Sequence, residues 1–123
     1  MWECHRMKMQ IDGQSVRLRI NEAEWGHLHA TGEVEDSTRF SSTFEQLRRL
    51  RLGDLDIPMI ESSPGLFFVV LPRAGFEAFA AERPRRDGFA FEWIETGAGA
   101  LSVSIEIDVR DSHRQRSEER RRS

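Results

Sequence analysis

The sequence predicts an α+β domain: a mostly antiparallel, strongly curved sheet with two short helices, barrel-like where its edges meet. Three observations carry this. Residues 8–20 alternate apolar and polar side chains on either side of a turn at Asp12, Gly13, Gln14 and Ser15. Residues 89–93 and 101–109 alternate in the same way around a glycine-rich connection at 96–100. Two further stretches, 22–31 and 74–83, space their apolar residues as helices do.

In the first hairpin, pairing Ile11 with Val16 places Met9 opposite Leu18 and Met7 opposite Ile20 on one face. Gln10 then faces Arg17, and Lys8 faces Arg19, on the other. A one-residue slip would mix the two sets, so the alternation specifies the register. The polar face opposes Lys8 and Arg19, and directly opposed like charges are unfavourable. An anion is therefore expected beside them, either Glu33 or Glu35 on the next strand or an external ligand. Residues 1–6 fit no periodicity and read as a frayed extension.

Asn21 can cap a helix whose Glu24 reaches back to the Asn21 amide, and Ile20 and Trp25 take the flanking staple positions. Trp25 and Leu28 share its inner face, and Gly32 supplies a left-handed stop. His27 and His29 are two residues apart, which on a helix is about 200°, so they cannot chelate one ion together.

Residues 33–40 read as a third strand and 41–43 as a turn. Over 44–52, Phe44, Leu47 and Leu50 recur every third residue, and Thr43 with Gln46 offers a second capping box. Local pattern alone therefore predicts a helix there. Residues 56–62 predict a strand in which Pro58 is confined to an edge or a start. The run 66–71 is apolar on both faces, as in a central strand covered on both sides. Pro72 ends it, and the helix that follows points Phe76, Phe79 and Ala80 inward. A loop over 83–88 leads to the second hairpin. Phe89, Phe91, Trp93, Leu101, Val103, Ile105, Ile107 and Val109 point inward; Glu92, Ser102, Ser104, Glu106 and Asp108 point outward. Beyond residue 110 no apolar side chain remains, so the expected organisation is one domain over 7–110 and a disordered Arg-rich tail over 111–123. No long internal repeat is visible.

The formal charge of −3 is unevenly spread. Residues 110–123 hold six Arg against Asp111, Glu118 and Glu119, hence +3, which leaves −6 on the rest. An acidic body argues against nonspecific nucleic-acid binding, and the tail would add only weak, salt-sensitive contact. The longest apolar run has six residues, far below the roughly 20 that span a bilayer. No apolar signal segment opens the chain, so a cytoplasmic protein without membrane contact is expected. Cys4 is the one cysteine, which excludes an intrachain disulfide and a cysteine-rich metal site.

No serine has a histidine nearby in sequence or a strand–turn–helix elbow around it. Gly97-Ala98-Gly99 precedes a strand and is a hairpin loop, not a phosphate loop. Two clusters remain. Lys8, Arg17 and Arg19 form a candidate anion-binding site. Glu106 and Asp108 share a face about 7 Å apart, with Glu92 on the neighbouring strand, and such a trio can hold Mg²⁺ through carboxylates and waters. A solvated sheet face is the plainer reading of the carboxylates. If both polar faces lined one lumen, the arrangement would resemble the triphosphate-tunnel enzymes. That pattern asks for more acidic alternating strands and more basic lumen residues than occur here.

A closer resemblance covers residues 7–40. Lys8-Met9-Gln10-Ile11, Gly13, Ser15, Val16-Arg17-Leu18-Arg19-Ile20, Glu24, Gly32 and Glu33-Val34-Glu35 resemble a small bacterial family of uncharacterised proteins. Its members open with a basic strand, a glycine turn, an R-L-R-L-like strand and a capped helix before an acidic strand. The closing strand departs from the family pattern: Ile105-Glu106-Ile107-Asp108-Val109 stands where a more basic strand, often followed by cysteine, is typical. The resemblance implies a strand, not a helix, over 44–52, and brings no activity with it. The expected function is a noncatalytic binding or interaction module with no catalytic residue and no cofactor, its partner a protein or a small anionic ligand. The alternatives are a metal-dependent phosphate-ester or polyphosphate hydrolase and a structural subunit of a larger assembly.

Overall fold

Among the described residues, ten elements run hairpin, helix, hairpin twice over: β1 (Lys8–Asp12), β2 (Ser15–Asn21), α1 (Glu22–Thr31), β3 (Glu33–Arg39), β4 (Glu45–Gly53), β5 (Met59–Ser63), β6 (Leu66–Pro72), α2 (Arg73–Ala81), β7 (Phe89–Glu95) and β8 (Gly99–Asp108). The computed structural model describes residues 7–83, 87–95 and 97–109. The extension over 1–6 and the tail over 111–123 lie outside the described residues. Each helix carries the chain from one sheet to the other, so the strands form two four-stranded sheets, β1-β2-β8-β7 and β3-β4-β6-β5. Four pairings are antiparallel; β2 with β8 and β4 with β6 are parallel. The class is α+β with mostly antiparallel sheets, as expected, but there are two sheets where one was anticipated, and they do not close into a barrel.

The first hairpin has the register that its alternation requires: Ile11 opposite Val16, Met9 opposite Leu18, Gln10 opposite Arg17 and Lys8 opposite Arg19. Met7, Leu18 and Ile20 are buried. At the start of α1 the Glu24 amide donates to Asn21 Oδ1 at 2.7 Å and the Asn21 amide donates to Glu24 Oε1 at 3.0 Å. Gly32 closes the helix at φ 87°, its amide bonded to Leu28 O, a conformation that costs a glycine nothing. The two helices meet through rings, with Trp25 edge-on to Phe76 at 5.4 Å and Phe76 edge-on to Phe89 at 5.3 Å.

Residues 45–53 form a strand, not the helix that the threefold spacing suggests. Leu50 and Leu52 alternate into the core while Arg49 and Arg51 face out, and pairing with both β3 and β6 outweighs the local preference. β6 is an inner strand, but it is not covered by a layer on both sides. Phe67, Val69 and Leu71 enter the core, whereas Phe68 lies on the outer face beneath the guanidinium groups of Arg49 and Arg51, at 5.4 and 4.9 Å.

No sequence repeat announces it, yet the architecture repeats. β5-β6-α2-β7-β8 follows the order, pairing and register of β1-β2-α1-β3-β4. Val16, Leu18, Ile20, Trp25 and Leu28 correspond to Phe67, Val69, Leu71, Phe76 and Phe79, all buried. In the second half of each unit the correspondence breaks chemically. Asp36, Thr38, Gln46 and Arg48 occupy the positions of Phe91, Trp93, Leu101 and Val103. Arg48 is 8% exposed and donates through Nε to Met7 O at 2.8 Å, and through Nη1 to Thr38 Oγ1 and Gln46 Oε1. Asp36 Oδ2 lies 3.7 Å from its Nη2. One half thus fills this region with hydrocarbon and the other with a satisfied polar network.

Candidate functional site

Strand register places the outward side chains of β1-β2-β8-β7 in transverse rows. The first row reads Asp12, Ser15, Ser102, Glu92; the second reads Gln10, Arg17, Ser104, Ala90. The third reads Lys8, Arg19, Glu106, with Gly88 beside Glu106 just ahead of β7. Successive rows are about 7 Å apart, two residues along a strand. The first two rows line an open trough of about 560 Å³. That volume is within the range of small-molecule sites.

The trough exists because its floor is small. Ser15, Ser102, Ser104 and Ala90 stand where the related face of the other sheet carries Leu66, Leu47, Arg49 and Glu35. There Arg17 is replaced by Phe68, and Arg49 and Arg51 lie over its ring. Arg49 is bound to Glu33 at 2.9 Å and to Glu35 at 2.8 Å, and the hydrogen bond to Glu35 raises its guanidinium above its ordinary pKa. The same architecture thus carries large, ion-paired side chains on one face and small ones, over the trough, on the other.

The opposed cations have an internal partner, but it is neither Glu33 nor Glu35, which belong to the other sheet. Glu106 lies 2.8 Å from Arg17 Nε and 3.2 Å from Arg19 Nη2, one carboxylate shared by two guanidinium groups. The parallel pairing of β2 with β8, which local pattern cannot reveal, brings it there. Lys8 lies across from Arg19 with no carboxylate in ion-pair reach among the described residues. Lys8, Arg17 and Arg19 therefore do stand together on one surface.

The carboxylates are spread further. Glu106 is committed to the arginines, Asp108 lies one row beyond it beside Asn21, and Glu92 lies two rows away, opposite Ser102. Among the described residues no group of three His, Cys, Asp or Glu is placed to hold a metal ion. His27 and His29 also part company, His29 stacking on Trp25 at 4.9 Å and reaching Glu77 Oε2 at 2.7 Å on α2.

The sequence reading missed Gln10, Asp12, Ser15, Ser102 and Ser104 as trough residues. The available signal was the pair of serines at alternate positions on β8, in a strand otherwise carrying outward carboxylates. No helix among the described residues is long and apolar enough to cross a membrane. Comparison with curated proteins and with solved structures yields no match. A family model does match, over residues 7–122, so the protein belongs to a family of unknown function, DUF7009.

Proposed function

We propose that the protein is a noncatalytic binding module that takes a small ligand bearing an anionic group into the trough on the β1-β2-β8-β7 sheet. The observation that carries this is the hollow itself: a floor of serines and alanine with Arg17 in it, at positions where the related face carries Leu66, Leu47, Arg49 and Glu35. Lys8, Arg17 and Arg19 outnumber Glu106 in the adjoining rows, so the cationic end keeps attraction for an added anion. Arg17, half exposed and held at Nε, retains donors for a carboxylate or phosphate. Three serines and Gln10 supply neutral hydrogen-bonding groups around it. A cytoplasmic location and a role without bond-breaking chemistry fit this reading.

The test is a ¹H–¹⁵N titration with phosphate and with acetate at matched ionic strength. Shifts are expected at Ser15, Arg17 and Ser104. Arg17→Gln should weaken binding about tenfold, the loss of one charge-assisted contact of ~1.4 kcal/mol. Glu106→Gln should strengthen it, because it removes a carboxylate that competes for the same guanidinium group. Equal binding by both variants and the unaltered protein would refute the assignment.

A further inference from the structure

The charge of the trough and of the row beside it is divided along the strands. Rows two and three carry Lys8, Arg17 and Arg19 against Glu106 alone. Row one carries Asp12 and Glu92, on the two edge strands, facing each other across Ser15 and Ser102. Both carboxylates line the trough, both are exposed, and neither has an ion-pair partner among the described residues. A purely anionic ligand seated on Arg17 would bring its far end toward two uncompensated carboxylates. A purely cationic one would meet Arg17. Complementarity of this kind selects by repulsion as much as by attraction.

We infer that the trough recognises a zwitterion, with its anionic group at Arg17 and an ammonium group in row one, over Ser15 and Ser102 and between the flanking carboxylates of Asp12 and Glu92, whose strands lie three spacings, about 14 Å, apart. This rests on the proposed binding role and narrows it to a ligand class: amino acids, short peptides or aminoalkyl compounds whose opposite charges stand about 7 Å apart, the spacing of two rows. The hydroxyls of Ser15 and Ser102 lie between the carboxylates, where they can accept from the ammonium group. Asp12 ends β1 at the turn and Glu92 lies in mid-strand on β7, so neither carboxylate needs to leave its strand to reach the trough.

The experiment is calorimetric titration of the full chain with ω-amino acids from 4-aminobutyrate to 8-aminooctanoate, beside hexanoate and hexylamine at matched ionic strength. Binding should peak within the amino-acid series, at least tenfold tighter than either singly charged probe. Asp12→Asn with Glu92→Gln should abolish that preference and leave hexanoate bound as well as before or better. Hexanoate binding as tightly as the best amino acid, or a preference that survives the double substitution, would overturn the zwitterion and leave the anion-binding role standing. If no probe shifts the protein at all, both fall together.

Discussion

Replacing Arg48 tests whether the polar network in the first half holds the two sheets together. Arg48→Met keeps the aliphatic stem and removes the guanidinium group. The carbonyl of Met7, a residue 1% exposed, then loses its donor from Nε; an orphaned buried acceptor costs about 1–3 kcal/mol. Thr38 and Gln46 lose bonds of 2.9 and 3.0 Å, a smaller loss because water can reach part-buried groups. Asp36, its side chain 20% exposed, loses the guanidinium group 3.7 Å away. Together these predict about 3 kcal/mol of destabilisation, or roughly 10 °C in Tm at this chain length. The related positions show the alternative, since Val103 and Phe91 fill the same place without polar atoms. Adding Asp36→Leu to Arg48→Met should therefore restore at least about 1 kcal/mol, as when both partners of a buried pair are made apolar. Urea denaturation with an unchanged slope is the measurement. A loss below about 0.5 kcal/mol for Arg48→Met would show that the network is solvated and contributes nothing.

Gly88→Ala should destabilise by about 1–3 kcal/mol, as overpacking does. The added Cβ would come within 2.9 Å of Glu106 Cγ and still closer to Ser104 Oγ, and Ser104→Ala should recover part of the loss in the same melts. Asn21→Ala removes one arm of the capping box, which predicts about 1 kcal/mol, whereas Trp25→Ala, emptying a buried site between the helices, predicts about 3–5 kcal/mol; equal effects would contradict the packing of α1. Arg19→Gln should cost less than about 0.5 kcal/mol because Glu106 keeps Arg17, while Glu106→Gln, which strands three cations together, should cost more at low salt and lose that difference in high salt.

What could be read from the sequence was what is local. The register of β1 with β2, the capping box of α1 and the inward set of β7 and β8 follow from period and turn chemistry over a few residues. What could not be read was the pairing of strands far apart in the chain. Nothing around Arg17 announces Glu106, 89 residues later, because a parallel partner arrives through the fold and not through a turn. The same blindness made 45–53 look helical: Leu47 and Leu50 share a helical face by spacing, but only the neighbours β3 and β6 decide that they belong on opposite faces of a sheet. Lys8, Arg17 and Arg19 were found as a set because one hairpin holds them. The trough escaped notice because its floor is made of small residues contributed by β2, β7 and β8.

Each half of the chain contributes two strands to each sheet, and every parallel seam, β2 with β8 and β4 with β6, joins one half to the other. Neither half therefore owns a sheet wider than a hairpin. Two identical half-length chains could close the same eight strands about a true rotation axis, but they would carry two hollows or none, and two Arg48 networks or none. Joining the halves in a single polypeptide lets equivalent places take unlike side chains: serine on one face and leucine on the other, arginine in one wall and valine in its twin. The covalent link through residues 54–58 thus does more than connect. It lets a symmetric scaffold have a front and a back.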